Sequence, residues 1–535
     1  KGTYYYNPVT NPERSLARRN VVLGQMYKHG AFNSARFEAL KKRPLKLDFE
    51  RQAERNGRDN HFTAFVRKWL LEWADENDYD LALDGLVVQT TLDADLQAAA
   101  VRAVERQASA LQAVADVEWA NSWVPGATST STFVSMRDSV TPFSYYWQTH
   151  GAQLDAFDPF WVVTKHAHIQ AISRQNDLFH NADRPTTLTN RALEERVRKI
   201  TGSPNLVRSL VQMDAPDHPK YRALTQGWFM PNNLGKFEGR VREIARATVR
   251  RMLDRGGACD FVDDVALGYP LHVIMEILGV PEADEPRMLK LTQELFGPQD
   301  PDTARVRDAL SAEQVSVMLQ AIIADFSAYF RKITEDRRQN PRDDLATVIA
   351  NAKIGGDYMP EHDQTSYYMI VATAGHDTTS SSTAGAIWAL ARDPVEFAKV
   401  KANPDLIPGL VDEAIRWMTP VKHFMRSATA DTELGGRKIA KGDWLMLCYA
   451  SGNRDEEVFE EPDRFRSDRK PNRHVAFGYG AHLCLGQYLA KLEMRILFEE
   501  LLPHLKSLSL DGEVKMTQAY FVNGPKKLPI RFEVN

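Results

Sequence analysis

Cys484 is the residue best placed for chemistry in this chain of 535 residues. It lies in Phe477-Gly478-Tyr479-Gly480-Ala481-His482-Leu483-Cys484-Leu485-Gly486, a glycine-rich loop that runs into a helix-like stretch from Gln487 to Phe498. A thiol at a helix N-terminus meets backbone N–H groups, so its pKa falls and it becomes an iron ligand. Gly478 and Gly480 let the backbone turn tightly and approach a flat cofactor, and Gly486 leaves room where the helix starts. A second cluster is Ala374-Gly375-His376-Asp377-Thr378-Thr379, inside an apolar pattern that predicts one long helix over 365–391. Ala374 and Gly375 leave a groove there. A carboxylate and a hydroxyl in a helix interior are costly unless they have partners, and delivering protons to dioxygen is a use for such a pair. His376 sits about 100° around the helix from Asp377 and reads as structural. Blander readings stand beside these: a buried inert cysteine, and hydroxyls that back-bond to the preceding turn and bend the helix. A zinc site on His482 and Cys484 lacks a second pair of ligands.

The order F-G-x-G-x-H-x-C-x-G resembles the haem-ligand signature of the cytochrome P-450 (haem-thiolate) monooxygenases. The resemblance runs from Asp158-Pro159-Phe160-Trp161 to the end of the chain. It implies a mainly α fold with small β-sheets and haem b as cofactor. Cys484 becomes the axial ligand of the haem iron, Asp377 a proton relay, and Thr378 a hydrogen-bond donor to activated oxygen. Phe477, Gly478, Gly480, Gly486, Ala374 and Gly375 border the haem. Haem carries two carboxylates, which cations must meet. His218 and Arg222 share a helix face, Arg426 follows the strand-like Lys422-His423-Phe424-Met425, and His482 completes the set. Glu413-Ala414-Ile415-Arg416 matches the family's buried ion pair, a structural element, with Arg464 or Arg469 as its third member. Asn453-Arg454-Asp455 is a further family-like string.

Several stretches resemble the bacterial monoterpene hydroxylases, the alpha-terpineol monooxygenase type in particular. They are Ala374 to Ser382, Val421 to Arg426, Phe477 to Gln487, Tyr269 to Val273 and Asn523 to Lys527. This implies insertion of one oxygen atom from O2 into a C–H bond of a small apolar substrate. Val371, Ala374, Thr378, Val421, Phe424 and Phe521 would surround that substrate. No flavin or iron–sulfur motif occurs, so electrons come from outside the chain, and the resemblance implies a ferredoxin with its reductase as their source. Its docking face would be Lys220, Arg469, Lys470, Arg473 and Lys491.

These groups need a large framework. Apolar residues make up 43% of the chain and the formal net charge is −4, which gives no reason to expect nucleic acid as a partner. Cys259, Cys448 and Cys484 are the three cysteines. So few fit a reducing compartment, and the first two read as small core hydrophobes. No apolar run reaches about eighteen residues and no signal peptide stands out, so a cytoplasmic protein is expected. The chain opens at Lys1 within an ongoing pattern, as a fragment would.

Residues 1 to 120 read differently, as polar and helical around Arg18 to Met26, with a strand at Gly85 to Leu92 and a helix over Ala94 to Ala108. Tyr6-Asn7-Pro8, Arg18-Arg19-Asn20-Val21-Val22-Leu23 and Val88-Gln89-Thr90-Thr91-Leu92-Asp93 resemble the glycosyltransferase end and linker of a class A penicillin-binding protein. The glutamate motifs of that family are missing, which implies an inactive, α-rich piece. Residues 121–156 read as a linker or junction. The family fold then starts at 157 without its usual first helix and strand. The alternatives to an active monooxygenase are an inactive haem-binding chimera and a peptidoglycan glycosyltransferase fragment.

Overall fold

The computed structural model describes residues 12–45, 141–142, 157–296, 300, 311–519 and 521–535. The chain divides into two units, residues 1–104 and 105–535. The strand expected at Gly85–Leu92 and the helix expected over Ala94–Ala108 lie outside the described residues. Unit one contributes α1 (Pro12–Lys28), which covers the helical pattern read at 18–26, and α2 (Ser34–Lys41). Asn33 caps α2 by accepting from the Arg36 N–H. Tyr27 stacks on Phe37 with ring centroids 5.1 Å apart. Arg19 donates to the carbonyls of Lys41 and Arg43, tying the two helices together. Neither helix buries a residue.

Unit two holds two main sheets beside a large helical core. The strands of these two sheets are β1 (Thr141–Pro142), β2 (Trp161–Val163), β3 (Phe179–His180), β4 (Ala258–Asp260), β5 (His423–Ala428), β6 (Trp444–Cys448), β7 (Leu505–Leu510) and β8 (Pro529–Val534). One sheet runs β1-β2-β6-β5-β3 and the other β7-β8-β4. β2 pairs in parallel with β6, and β6 pairs antiparallel with β5. Strand alternation splits the apolar side chains of β6 between two faces. Leu445 and Leu447 join one cluster, and Trp444, Met446 and Cys448 join the other. β1 falls within the stretch read as a junction, so residues before 157 supply the edge strand beside β2. Arg426 lies inside β5 rather than after a strand, because β5 begins one residue later than expected and runs on to Ala428.

The helices that matter for the site are α3 (His166–Arg174), α4 (Asp217–Gln226), α5 (Gly268–Leu278), α6 (Glu285–Phe296), α7 (Glu361–Ala374), α8 (Asp377–Arg392), α9 (Ile407–Met418) and α10 (Gln487–Leu501). α7 and α8 correct the expectation of one continuous helix. The break falls at Gly375-His376. A Cβ on Gly375 would come within 2.5 Å of Ile274 Cγ1 on α5, so the glycine lets the two helices approach. The hydroxyls around the break compete with the backbone ladder. Thr373, Thr378 and Thr379 each donate to the carbonyl four residues earlier, at 2.7, 3.1 and 3.4 Å. No helix among the described residues is long and apolar enough to cross a membrane.

Candidate active site

The loop before α10 delivers Cys484 to a cavity of about 1020 Å³. Gly478 and Gly480 both have φ of 71°, the left-handed region, and the Cys484 N–H donates to the Phe477 carbonyl at 2.9 Å. The loop thus closes on itself and presents the sulfur. Burial pushes the Cys484 thiol up. The N–H groups of Gly486 and Gln487 at the start of α10, with the Arg222 guanidinium, work against that. Phe477, Gly478 and Gly486 line the cavity with Cys484. Gly480 does not; a Cβ there would lie 1.9 Å from the Ser173 carbonyl oxygen, so this glycine serves the contact with α3.

The four expected cations meet at one end of the cavity, which His218, Arg222, Arg426 and His482 all line. His218 and Arg222 project from α4, and the His218 and His482 rings lie 4.0 Å apart. His218 and Arg426 are 5% and 6% exposed, yet neither has a carboxylate in ion-pair contact. His218 Nε2 is buried without a hydrogen-bond partner. Burial lowers the pKa of Arg426, while Tyr449 and Asp214 support its charge. Arg222 and Arg426, guanidiniums on a cavity wall with no carboxylate in ion-pair contact among the described residues, call for an anionic ligand, and His218 and His482, whose pKa values burial lowers, can add neutral N–H donors. These donors therefore fit the two carboxylates of haem b, with Cys484 as the ligand to its iron.

The helix break forms the opposite wall. Ala374, Gly375, Thr378 and Thr379 line the cavity. Asp377 stands outside the lining, in the first turn of α8. Its carboxylate lies 3.7 Å from His376 Nε2, which corrects the expectation that His376 points away. That expectation assumed helical geometry at a residue where the helix is broken. His376 is fully buried, and its Nδ1 lies 3.2 Å from the Ala372 carbonyl. Burial raises the Asp377 pKa, and His376 partly opposes the shift. All six expected substrate neighbours, Val371, Ala374, Thr378, Val421, Phe424 and Phe521, line the cavity.

Beneath the cysteine loop, Glu413 and Arg416 on α9 form a bidentate pair at 2.8 Å for both contacts, with no solvent exposure. The third member is Arg469, whose Nε lies 3.0 Å from Glu413 Oε2. Arg464 gives only its carbonyl, accepting from Arg416 and Arg469, and its side chain is 63% exposed. Arg469 is consequently buried and cannot belong to the basic face assigned to it. Asn453 connects this network to the cysteine loop. Its carbonyl accepts from Arg416 at 2.8 Å and its Oδ1 from the Val475 N–H at 2.6 Å. Cys448 is buried and Cys259 half-buried, the latter with its pKa raised to about 12 by burial.

Sequence reasoning missed Asn181, Tyr449 and Glu493, which also line the cavity. Glu493 is fully buried on α10, and burial raises its pKa well above the ordinary value, with the nearby Thr379 hydroxyl opposing the shift. Its place on the buried face of an amphipathic helix was a readable signal. Asn181, after a two-residue strand, carried none.

The sequence model of the Cytochrome P-450 family matches residues 186–532. The chain is 51% identical over 383 residues to Cytochrome P-450-terp of a Pseudomonas species, covering 71% of this chain and 90% of that protein. It is 32% identical over 373 residues to Linalool 8-monooxygenase of Pseudomonas putida, covering 69% and 89%. The crystal structure of CYP108D1 from Novosphingobium aromaticivorans shares 48% identity, covers 76% of this chain and 94% of its own, and superposes with a TM-score of 0.68.

Proposed function

Because this chain belongs to the cytochrome P-450 family and is an oxygen-incorporating, haem b-dependent oxidoreductase, we propose that it hydroxylates a small apolar, monoterpene-like molecule with electrons from a ferredoxin and its reductase. One observation carries the substrate reading: the wall facing Cys484 has side-chain hydroxyls but spends them on its own backbone. Thr373 and Ser382 donate to carbonyls four residues earlier at 2.7 and 2.9 Å, as Thr378 does. Val371, Val421, Phe424 and Phe521 add apolar side chains to the same cavity. Such a wall favours a compact hydrocarbon skeleton with few polar groups. Monoterpene alcohols of the alpha-terpineol kind, and linalool, for which one relative is named, are the first substrates to test.

Haem b, when bound, supplies the iron centre at which dioxygen is activated for insertion into a C–H bond. Cys484 Sγ would hold the iron, with the Gly486 and Gln487 N–H groups favouring its thiolate form. Arg222, Arg426, His218 and His482 would hold the haem carboxylates. Ala374 and Gly375 keep the facing wall low. Thr378 holds a proton at Oγ1, donated to the Ala374 carbonyl at 3.1 Å, and would be the hydroxyl available to turn toward the cavity. Asp377 resupplies it, with its own charge state set by burial and by His376.

Electrons would enter near the cysteine loop. Of the basic residues expected to form the docking face, Lys220, Lys470 and Arg473 are exposed and Lys491 half-buried. Two of these already meet acids, Lys220 with Asp217 and Lys491 with Asp412. The two N-terminal helices carry none of the groups this chemistry uses. The test is NADH consumption with ferredoxin and reductase across a panel of monoterpenes, with products identified by mass spectrometry. A coupled hydroxylated product supports the reading, and Thr378→Ala should then divert electrons to hydrogen peroxide. Haem-loaded protein that turns over no monoterpene, or a Thr378→Ala variant that stays coupled, counts against it.

A further inference from the structure

Asn181 stands at the end of β3, 2% exposed, between Asp214 and His482. Its amide nitrogen lies 3.0 Å from Asp214 Oδ1 and 2.8 Å from His482 Nε2. Asp214 is itself fixed. It also accepts from the backbone N–H of Asn181, at 3.0 and 2.9 Å, and from that of Ala182 at 2.8 Å. Its carbonyl accepts from the His218 N–H at 2.9 Å.

These contacts settle which way the amide faces. The reverse orientation would set Asn181 Oδ1 against a carboxylate oxygen, with no proton between them. In the orientation observed, Oδ1 is buried and unpartnered, and the two amide protons serve Asp214 and His482. An amide nitrogen can only donate, so His482 Nε2 must accept. A ring that accepts at Nε2 and is neutral carries its proton on Nδ1. His482 lines the cavity, and Nδ1–H is the one donor its ring has to offer a ligand there.

We propose that Asp214 and Asn181 are positioning residues that hold His482 as an Nδ1–H donor toward a haem carboxylate. The inference rests on the haem reading above. It gives a purpose to a half-buried carboxylate set beside the basic residues of the cavity: Asp214 orients the amide, the amide selects the tautomer, and the tautomer makes the imidazole a donor rather than a repelling lone pair. The same logic orders metal-bound histidines through the partner of their second nitrogen.

The test uses the full chain loaded with haem, in its reduced carbon monoxide form. Nitrogen-15 NMR of the imidazoles should place the His482 proton on Nδ1. Asn181→Leu and Asn181→Ala keep the Asn181 and Ala182 backbone bonds to Asp214, so the loop stays anchored. Both should lose the Nδ1 preference and release haem to apomyoglobin about tenfold faster, the equivalent of one hydrogen bond to a charged group. A wild-type proton on Nε2 overturns the proposal, as does unchanged haem release in both variants. A lowered melting temperature with tautomer and release unaltered also overturns it, since that marks a purely structural role. Lack of a thiolate-type spectrum in the wild type overturns the haem reading and this proposal with it. An intact spectrum with the proton on Nε2 overturns this proposal alone.

Discussion

Replacing Arg469 by alanine should destabilise the folded protein far more than replacing Arg464, although the two lie five residues apart in the same irregular segment. Glu413 is the common acceptor of a buried network. It receives Arg416 through two contacts of 2.8 Å, Arg469 Nε at 3.0 Å, Asn472 Nδ2 at 3.1 Å and the Arg466 N–H at 2.9 Å. Arg469 also donates to the carbonyls of Glu460, Glu461 and Arg464. Removing one partner of a buried ion pair costs about 3–5 kcal/mol. Glu413 keeps Arg416 in this variant, so the lower end, about 3 kcal/mol, is expected. That is a large share of the roughly 5–15 kcal/mol that typically holds a folded protein together. Arg464, whose side chain is 63% exposed and paired only with Glu461, should cost no more than about 0.5 kcal/mol. Urea unfolding of the haem-loaded protein, followed in parallel by tryptophan fluorescence and haem absorbance, measures both. An Arg469→Ala cost below about 1 kcal/mol, or an Arg464→Ala cost equal to it, would refute the assignment of the third member.

Three further outcomes are expected. Gly480→Ala should strip haem from the protein, because its Cβ would meet the Ser173 carbonyl oxygen at 1.9 Å from a φ of 71°. Haem content per chain after purification reads this out, and a fully loaded variant would show that the contact can open at little cost. His272 should make stability fall as the solution becomes alkaline. Its hydrogen bond to Glu285, 2.8 Å away, raises its folded pKa against the effect of burial. The folded pKa lies above the unfolded one, so the stabilisation is complete below the unfolded value near 6.5 and is lost as pH climbs through the folded value. His272→Gln should flatten that part of the curve of urea midpoint against pH; an unaltered slope would be evidence against it. Finally, reduction by a ferredoxin should slow as salt rises, if Lys220, Lys470, Arg473 and Lys491 guide docking. Stopped-flow rates that ignore ionic strength would remove that face from consideration.

Much of the site was legible because its chemistry demands particular residues in a particular order. Cys484, the four basic residues and the six expected substrate neighbours could each be picked from a local string of residues, and all of them line the cavity. The identity of the third ion-pair member could not, because Arg464 and Arg469 are alike in type and only the fold decides which one turns inward. The helix break was missed for a different reason. Apolar periodicity across 365–391 is continuous, and the competing bonds of Thr373, Thr378 and Thr379 interrupt the backbone without interrupting the pattern. That error carried over to His376, whose direction was taken from an unbroken helix. Asn181 and Asp214 are far apart from His482 in sequence, so only the folded chain brings their hydrogen bonds together. β1 likewise depends on pairing with β2 and has too few residues to show a period of its own.

The carbon monoxide difference spectrum of the reduced protein, recorded for the wild type and for Cys484→Ala, bears most directly on whether this cavity is a haem-thiolate centre. The wild type should show the thiolate-type band, and the variant should lose it whether or not haem stays bound through the cationic end of the cavity. A wild type without that band, or a Cys484→Ala protein that retains it, would contradict the placement of the iron on this sulfur.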